Sequence, residues 1–269
     1  MLISTLSLGE RFDDMDWTSA DLAAFNIVVQ DQDQDTFFDG PLPDYSCFPG
    51  FIEKEEIVIP RKISFQLAYN VERARKYMDA SPIEAEWAFN AFLGSLLQFM
   101  KYGSPPGRIS VRNPPIRMIV RNELAVTIAN VEVQHNIGTL FTMLILQHNK
   151  TPIKLSDPEA HLIATAIGAF QQNKAEPWTG LKEQVILGIT TAEQIIPTFY
   201  KIKVTTELDQ AVRLGEKPAT QTIVYRHKAR VPKPHDDIMT LENRRRIVLY
   251  LEGFRRLLLA QCRGFLPKM

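Results

Sequence analysis

The chain has 269 residues, 45% hydrophobic and 23% charged, which fits one globular domain and excludes a disordered, collagen-like or low-complexity polymer. Thirty-one Lys and Arg balance thirty-one Asp and Glu, so no global basicity announces a nucleic-acid or anionic-membrane binder, and only local patches remain for that work. Two cysteines, Cys47 and Cys262, are too few and too far apart for a disulfide framework or a zinc site, and suit an intracellular setting, cytoplasmic or nuclear.

The first residues, MLISTLSLGERFDD, have no basic residue ahead of their apolar run and no small-residue cleavage site, so no signal peptide is expected. No stretch reaches the roughly 18 uncharged apolar residues of a membrane span, and no membrane association is expected. Residues 1–60 carry a helix start at Trp17-Thr18-Ser19-Ala20-Asp21, an acidic run from Asp31 to Asp35, and Pro41, Pro43, Pro49 and Pro60. Proline at that density breaks helices and removes strand donors, so the segment reads as an N-terminal arm, largely irregular after one short helix, ahead of one α+β domain over 61–269. The acidic run lacks the central Gly and closing Glu of a calcium loop and reads as a solvated loop.

Helical patterning runs from Phe65 to Met78 and from Ser81 to Met100. Ser81, Pro82 and Glu84 suit a helix start, and Phe89, Phe92, Leu93, Leu96 and Met100 form the apolar stripe, with Glu86 and Asn90 beside it. Period-two alternation then predicts two or three short strands between Ile109 and Val133, with turns at Asn113-Pro114-Pro115 and Arg121-Asn122-Glu123. The apolar run from Thr139 to Gln147 fits strand or helix. Ser156-Asp157-Pro158-Glu159 starts another helix, whose Leu162, Ala166, Ala169 and Phe170 make a face suited to close packing on a sheet. Strands follow at Glu183 to Thr190 and Thr198 to Thr205, then a proline- and base-rich connection from Arg226 to His235. A helix from about Thr240 to Cys262 closes the chain, docked through Ile247, Leu251, Phe254 and Leu258 with Arg244, Arg245, Arg255 and Arg256 off that stripe.

A helix with an acid, antiparallel strands ending in Glu-x-Gln, a small-residue helix and more strand is the order a PD-(D/E)xK nuclease core would give. The motif strand is Val131-Glu132-Val133-Gln134, with Glu132 and Gln134 on one face and both valines toward the core. Carboxylates there would hold a divalent ion that activates water, and a lysine would position the nucleophile; here Gln134 occupies the lysine slot, and residues 108–122 contain no acid. The same Glu-x-Gln also fits an ordinary polar strand face. Arg108, Arg112, Arg117 and Arg121 on the strands, the cations of 226–233, and Arg244 to Arg246 on the last helix have the charge to hold a phosphate backbone, or to cover a solvated surface. His135, His148, His161, His227 and His235 lack zinc-ligand spacing, and no glycine-rich phosphate loop or Gly-x-Ser-x-Gly is present, which argues against a nucleotide cofactor and serine-hydrolase chemistry.

The stretch from Ile196 to Leu208, Pro232-Lys233-Pro234, Leu241-Glu242-Asn243-Arg244-Arg245 and Glu252-Gly253-Phe254-Arg255 resemble a group of uncharacterised basidiomycete fungal proteins. Members of that group look like PD-(D/E)xK proteins, with a Glu-x-Lys strand and a helix carrying Gln-Ala-x-Gly. The resemblance spans roughly residues 80–260 and is clearest after 184; it sets Glu132 at the motif acid, Gln134 in place of its lysine, and Thr165-Ala166-Ile167-Gly168 at the helix segment. The expectation is thus a nuclease-like fold with a degenerate site, a pseudoenzyme weakly active or inactive, that binds nucleic acid or protein. If it is active, Glu86 and Glu132 would hold Mg²⁺ and Gln134 would position water; the alternative is an interaction or accessory protein with no nucleic-acid role.

Overall fold

The computed structural model describes residues 17–43, 82–103, 107–111, 115–136, 140–148, 157–176, 180–191, 196–233 and 240–265, with Leu67, Tyr69, Asn70 and Arg73. The architecture is mixed α+β: a seven-stranded sheet, a separate two-stranded hairpin and flanking helices. In chain order the elements are α1 (Ser19–Ala24), β1 (Ile27–Asp31), α2 (Gln34–Phe37), α3 (Pro82–Phe99), β2 (Gly107–Val111), β3 (Ile116–Val120), β4 (Glu123–Thr127), β5 (Val131–Asn136), β6 (Leu140–His148), α4 (Pro158–Ala175), β7 (Glu183–Thr191), β8 (Pro197–Thr205), α5 (Thr206–Leu214), β9 (Thr222–Lys228) and α6 (Leu241–Phe265).

The large sheet has the order β1-β9-β8-β7-β6-β5-β2. Its pairs are antiparallel except β6 with β7 and β1 with β9. Strands β6, β7, β9 and β1 therefore run the same way, and their carboxyl ends, at His148, Thr191, Lys228 and Asp31, share one edge of the sheet.

Alternation along the strands feeds two cores. Val131, Val133, Leu144, Leu146, Leu187, Ile189 and Phe199 pack with α3 and α6, while Ile145, Ile186, Tyr200, Ile202, Val204 and Val224 pack with α4, α5 and the hairpin. The expected stripes on α3 and α6 are buried, together with further positions on both helices. Helix α4 is buried nearly all round, because it lies between the sheet on one side and β3 on the other. Asp157 caps it by accepting from Glu159 N and Ala160 N, and Pro158 sits in its first turn. At Gly168 a Cβ would stand 2.9 Å from Ile116 Cγ2 and 3.3 Å from Met118 Cβ, so only glycine lets the helix approach the hairpin this closely.

Several expectations are corrected. The short helix expected from Trp17-Thr18-Ser19-Ala20-Asp21 is α1, but the chain after it, read as an irregular arm, forms β1 and α2, and β1 completes the sheet by pairing Ile27 with Thr222. That partner lies far along the chain, where local patterning has no reach. Four strands, not two or three, lie between 107 and 136, and residues 140–148 are strand. Arg226, His227 and Lys228, assigned to a connection, end β9, whose Val224 is core while its other positions are mostly half-exposed. Helix α5 was not anticipated, although Thr205 caps it and Gly215 closes it at φ 75°. The stretch 65–78, Ser81 as a cap, Pro49, Pro60, Cys47 and the extreme N-terminus lie outside the described residues or largely so.

Candidate functional site

Strand alternation places Glu132 and Gln134 opposite Val131 and Val133, as the pattern requires. The face they occupy is not open at Glu132. Glu132 is only 2% exposed and Gln134 is half-buried. Pairing of β5 with β6 runs Val133↔Leu144 and then Gln134↔Thr142, so β6 carries one extra residue there. The bulge turns Thr142 away from the face of Leu144 and Leu146, and its hydroxyl donates to Glu132 Oε1.

Two buried amide side chains adjoin that contact. Asn173, in the last turn of α4, accepts from Thr142 N at 3.0 Å and donates from Nδ2 to Thr142 O at 2.9 Å and to Gln184 Oε1 at 2.9 Å. Gln184 Nε2 donates to the same Thr142 carbonyl at 3.0 Å. Pairing of β6 with β7 begins only at Leu144, so these side chains supply the partners that a strand would supply further along. Glu132, Thr142, Asn173 and Gln184 are all buried, so satisfied polar groups here hold α4, β6 and β7 in register. The groups shown on Glu132 and Thr142 are a hydroxyl and neutral amides, and among the described residues no three His, Cys, Asp or Glu side chains converge. A divalent ion asks for several oxygen ligands with waters and access, and the described residues offer it here one buried carboxylate, Glu132.

The other candidate residues are dispersed. Glu86 lies on α3 and Arg108 on β2, with side chains outside the described residues, as is the whole of Arg112. Arg117 is exposed on β3. Arg121, exposed in the hairpin turn with φ 51°, donates to Asp21 at 3.2 Å, and its backbone N–H caps Val212 of α5. Arg244, expected off the docking stripe as a phosphate contact, is wholly buried, and Arg245 beside it is half-buried. The correction has a simple cause: α6 packs on more than its leucine stripe, burying Asn243 and Arg244 as well. Asn243 holds the Lys233 peptide from both sides, donating to its carbonyl at 2.7 Å and accepting from its N–H at 3.0 Å.

Sequence reasoning missed a second locality, at the carboxyl edge of the sheet. Arg226 donates twice to Asp31, from Nε at 2.7 Å and Nη2 at 3.1 Å, and once to Glu159 from Nη1 at 2.7 Å. This fork ties β1 and β9 to the first turn of α4. Its guanidinium holds the Asp31 carboxyl below the ordinary range. Tyr200 lies beneath, its phenol pushed well up by burial and by the Glu159 charge. On the opposite face of the sheet, His227, one residue before the end of β9, lies amid Phe37, Phe38 and Tyr250 at centroid distances of 5.4–5.7 Å. A cleft of about 550 Å³ opens between residues 31–35 on one wall and Lys228, Arg230, Arg246 and Tyr250 on the other. The acidic run that suggested a solvated loop is one wall of this cleft, with Asp33 capping α2 through Thr36 N at 3.0 Å.

No family model matches the sequence, and no match is found among curated proteins. Among the described residues, no helix is long and apolar enough to cross a membrane.

Proposed function

We propose that this chain has a PD-(D/E)xK nuclease-like core from which metal-dependent hydrolysis has been lost, and that it acts by binding. The core reading draws on the order α3, β2, β5, β6, α4, β7: a helix, three antiparallel strands, a helix and a strand parallel to the third. The observation that carries the loss of hydrolysis is the state of Glu132, buried and hydrogen-bonded by Thr142, with neutral Gln134 two residues on. Burial closes this carboxylate off from solvent, and with it from an approaching metal ion and phosphate. No Mg²⁺ role is assigned to it. The setting that goes with this reading is intracellular, cytoplasmic or nuclear, and the relatives in mind are the basidiomycete proteins that the C-terminal third resembles.

The ligand is nucleic acid or a protein, and salt separates them. Phosphate-backbone binding falls steeply as salt rises, and protein docking on a mixed surface does so less. A specific observation favours the second reading, an interaction protein without a nucleic-acid role: burial withdraws Arg244, and Asp21 occupies Arg121.

The test is incubation of the full chain with labelled single- and double-stranded DNA and RNA in Mg²⁺ and Mn²⁺, beside Glu132→Gln. The expected result is no cleavage by either protein. Metal-dependent cleavage by the parent that is lost in Glu132→Gln would overturn the proposal. Gel shifts from low to high salt on the same oligonucleotides assign the partner class.

A further inference from the structure

Strand β1 stands at one end of the seven-stranded sheet, with β9 as its strand neighbour. The bonds at its two ends fix which backbone groups β9 uses: Thr222 N–H donates to Asn26 O at 3.0 Å, and Gln32 N–H donates to Arg226 O at 2.8 Å. A parallel strand turns its bonding groups to one neighbour at every second residue. Asn26, Val28, Gln30 and Gln32 therefore face β9, while Ile27, Val29 and Asp31 turn their N–H and C=O outward. Among the described residues nothing bonds that outward backbone.

A sheet edge is ordinarily guarded by a proline, a lysine, a bulge or a covering segment. Strand β1 reads IVVQD in unbroken register with β9, and its one charged side chain is matched by Arg226. Val28 is 44% exposed and lies beside its register partner Ile223 at 37%, so apolar surface is open next to the backbone edge. A row of outward N–H and C=O groups on an extended segment is complementary to another extended segment, which supplies the same groups in return.

We propose that the segment it takes is β1 of a second copy of this chain, laid antiparallel about a twofold axis at Val29, so that two seven-stranded sheets join into one. Strand β1 is complementary to itself in that register. Val29 lies opposite Val29, and Ile27 opposite the second copy's Asp31, so each outward residue meets an outward residue and exchanges both of its bonds. Asp31, the one acid of the strand, meets Ile27 and not its own copy, whereas a parallel pair in register would set the two acids side by side. On the exposed face each Val28 lies across from a Gln30, and the two Val28–Ile223 surfaces flank the axis. A twofold pair of this kind closes at two copies and leaves no β1 edge open for growth. Glu132 lies on β5, toward the other end of the sheet, so the pairing is independent of the nuclease-like reading.

Sedimentation velocity of the full chain between about 1 and 300 µM tests it, and so short an edge predicts a reversible dimer with a Kd of about 1–100 µM. Val29→Pro removes an outward N–H that β9 does not use, which an edge strand tolerates, and should weaken the dimer by about tenfold or more. Val28→Lys combined with Gln30→Lys sets like charges across the axis, on side chains exposed in the single copy, and should also weaken it. Leu124→Lys, exposed on the hairpin, leaves the association unchanged. Far-ultraviolet circular dichroism matching the parent shows that each variant is folded. In hydrogen exchange of the parent, the Val29 amide slows as concentration rises through the midpoint, a signal that a dimer through another face does not give. A monomer throughout the range, a dimer that folded β1 variants leave at parent strength, or Val29 exchange that is independent of concentration would overturn the proposal.

Discussion

The Thr142 hydroxyl donates to the Glu132 carboxylate across the β5–β6 pair, at the residue where β6 bulges. The acid is thus bound to its neighbouring strand, and the bulge that turns Thr142 toward it is itself held by Asn173. Thr142→Val keeps the shape and removes the donor. We expect a loss of about 1–3 kcal/mol, the usual consequence of leaving a buried polar group short of a partner, read as a lower urea midpoint at unchanged slope. A midpoint within error of the parent would show that the contact carries no stability.

Gly168 tests the packing of α4 on the hairpin. Alanine at an exposed helix position would stabilise by about 1 kcal/mol over glycine. Here the new Cβ meets Ile116 Cγ2 at 2.9 Å, a branch of a stiff side chain, and Met118 Cβ at 3.3 Å, next to backbone. Gly168→Ala should therefore destabilise, by about 1–3 kcal/mol as overpacked cores do. A stabilised variant in thermal melting would contradict the close approach.

The Arg226 fork predicts an acid-sensitive contribution. Its guanidinium holds Asp31 below the ordinary value of 3.8, so the pair stabilises the fold above that pH and the contribution disappears as pH falls through the lowered folded value. The Asp31 side chain is 62% exposed, so solvent keeps the effect under about 1 kcal/mol. Asp31→Asn should be slightly less stable than the parent at neutral pH and equal to it at the acid end of a pH series. A gap that persists at low pH would locate the effect in something other than charge.

His135 acts at milder acidity. Burial lowers its value below 6.5, and its Nδ1 has no partner, so the folded state resists the charged imidazolium while the unfolded chain accepts it. The parent therefore loses stability from this residue as pH falls below about 6.5, until the folded value is passed. His135→Leu should flatten the dependence of the urea midpoint between pH 7 and pH 5. An unchanged slope would mean that His135 is charged in the fold.

Much of the fold was legible because periodicity and caps are local. The stripe Phe89, Phe92, Leu93, Leu96 on α3, the Asp157-Pro158 start of α4, the short apolar run of β7 and the alternation of β8 state their structure within a few residues. Strand β1 did not, because IVVQD is short and its partner β9 lies near the other end of the chain. The motif strand was placed on the right faces, but its chemistry was not legible. Alternation tells which way Glu132 points, and only the tertiary packing and the bulge at Thr142 tell that it is covered and bonded. Asn173 and Gln184 have no sequence signature that separates them from surface amides, and Arg244 reads as exposed charge until α6 is docked.

The central claim, that Glu132 is a bracing group and not a metal ligand, is tested most directly by isothermal titration of the parent and of Glu132→Gln with Mg²⁺ and Mn²⁺. Glutamine keeps an oxygen to accept from Thr142, so folding is preserved while the charge is removed. The account predicts the same negligible heats from both proteins; saturable binding by the parent at millimolar metal or below, abolished in Glu132→Gln, would contradict it.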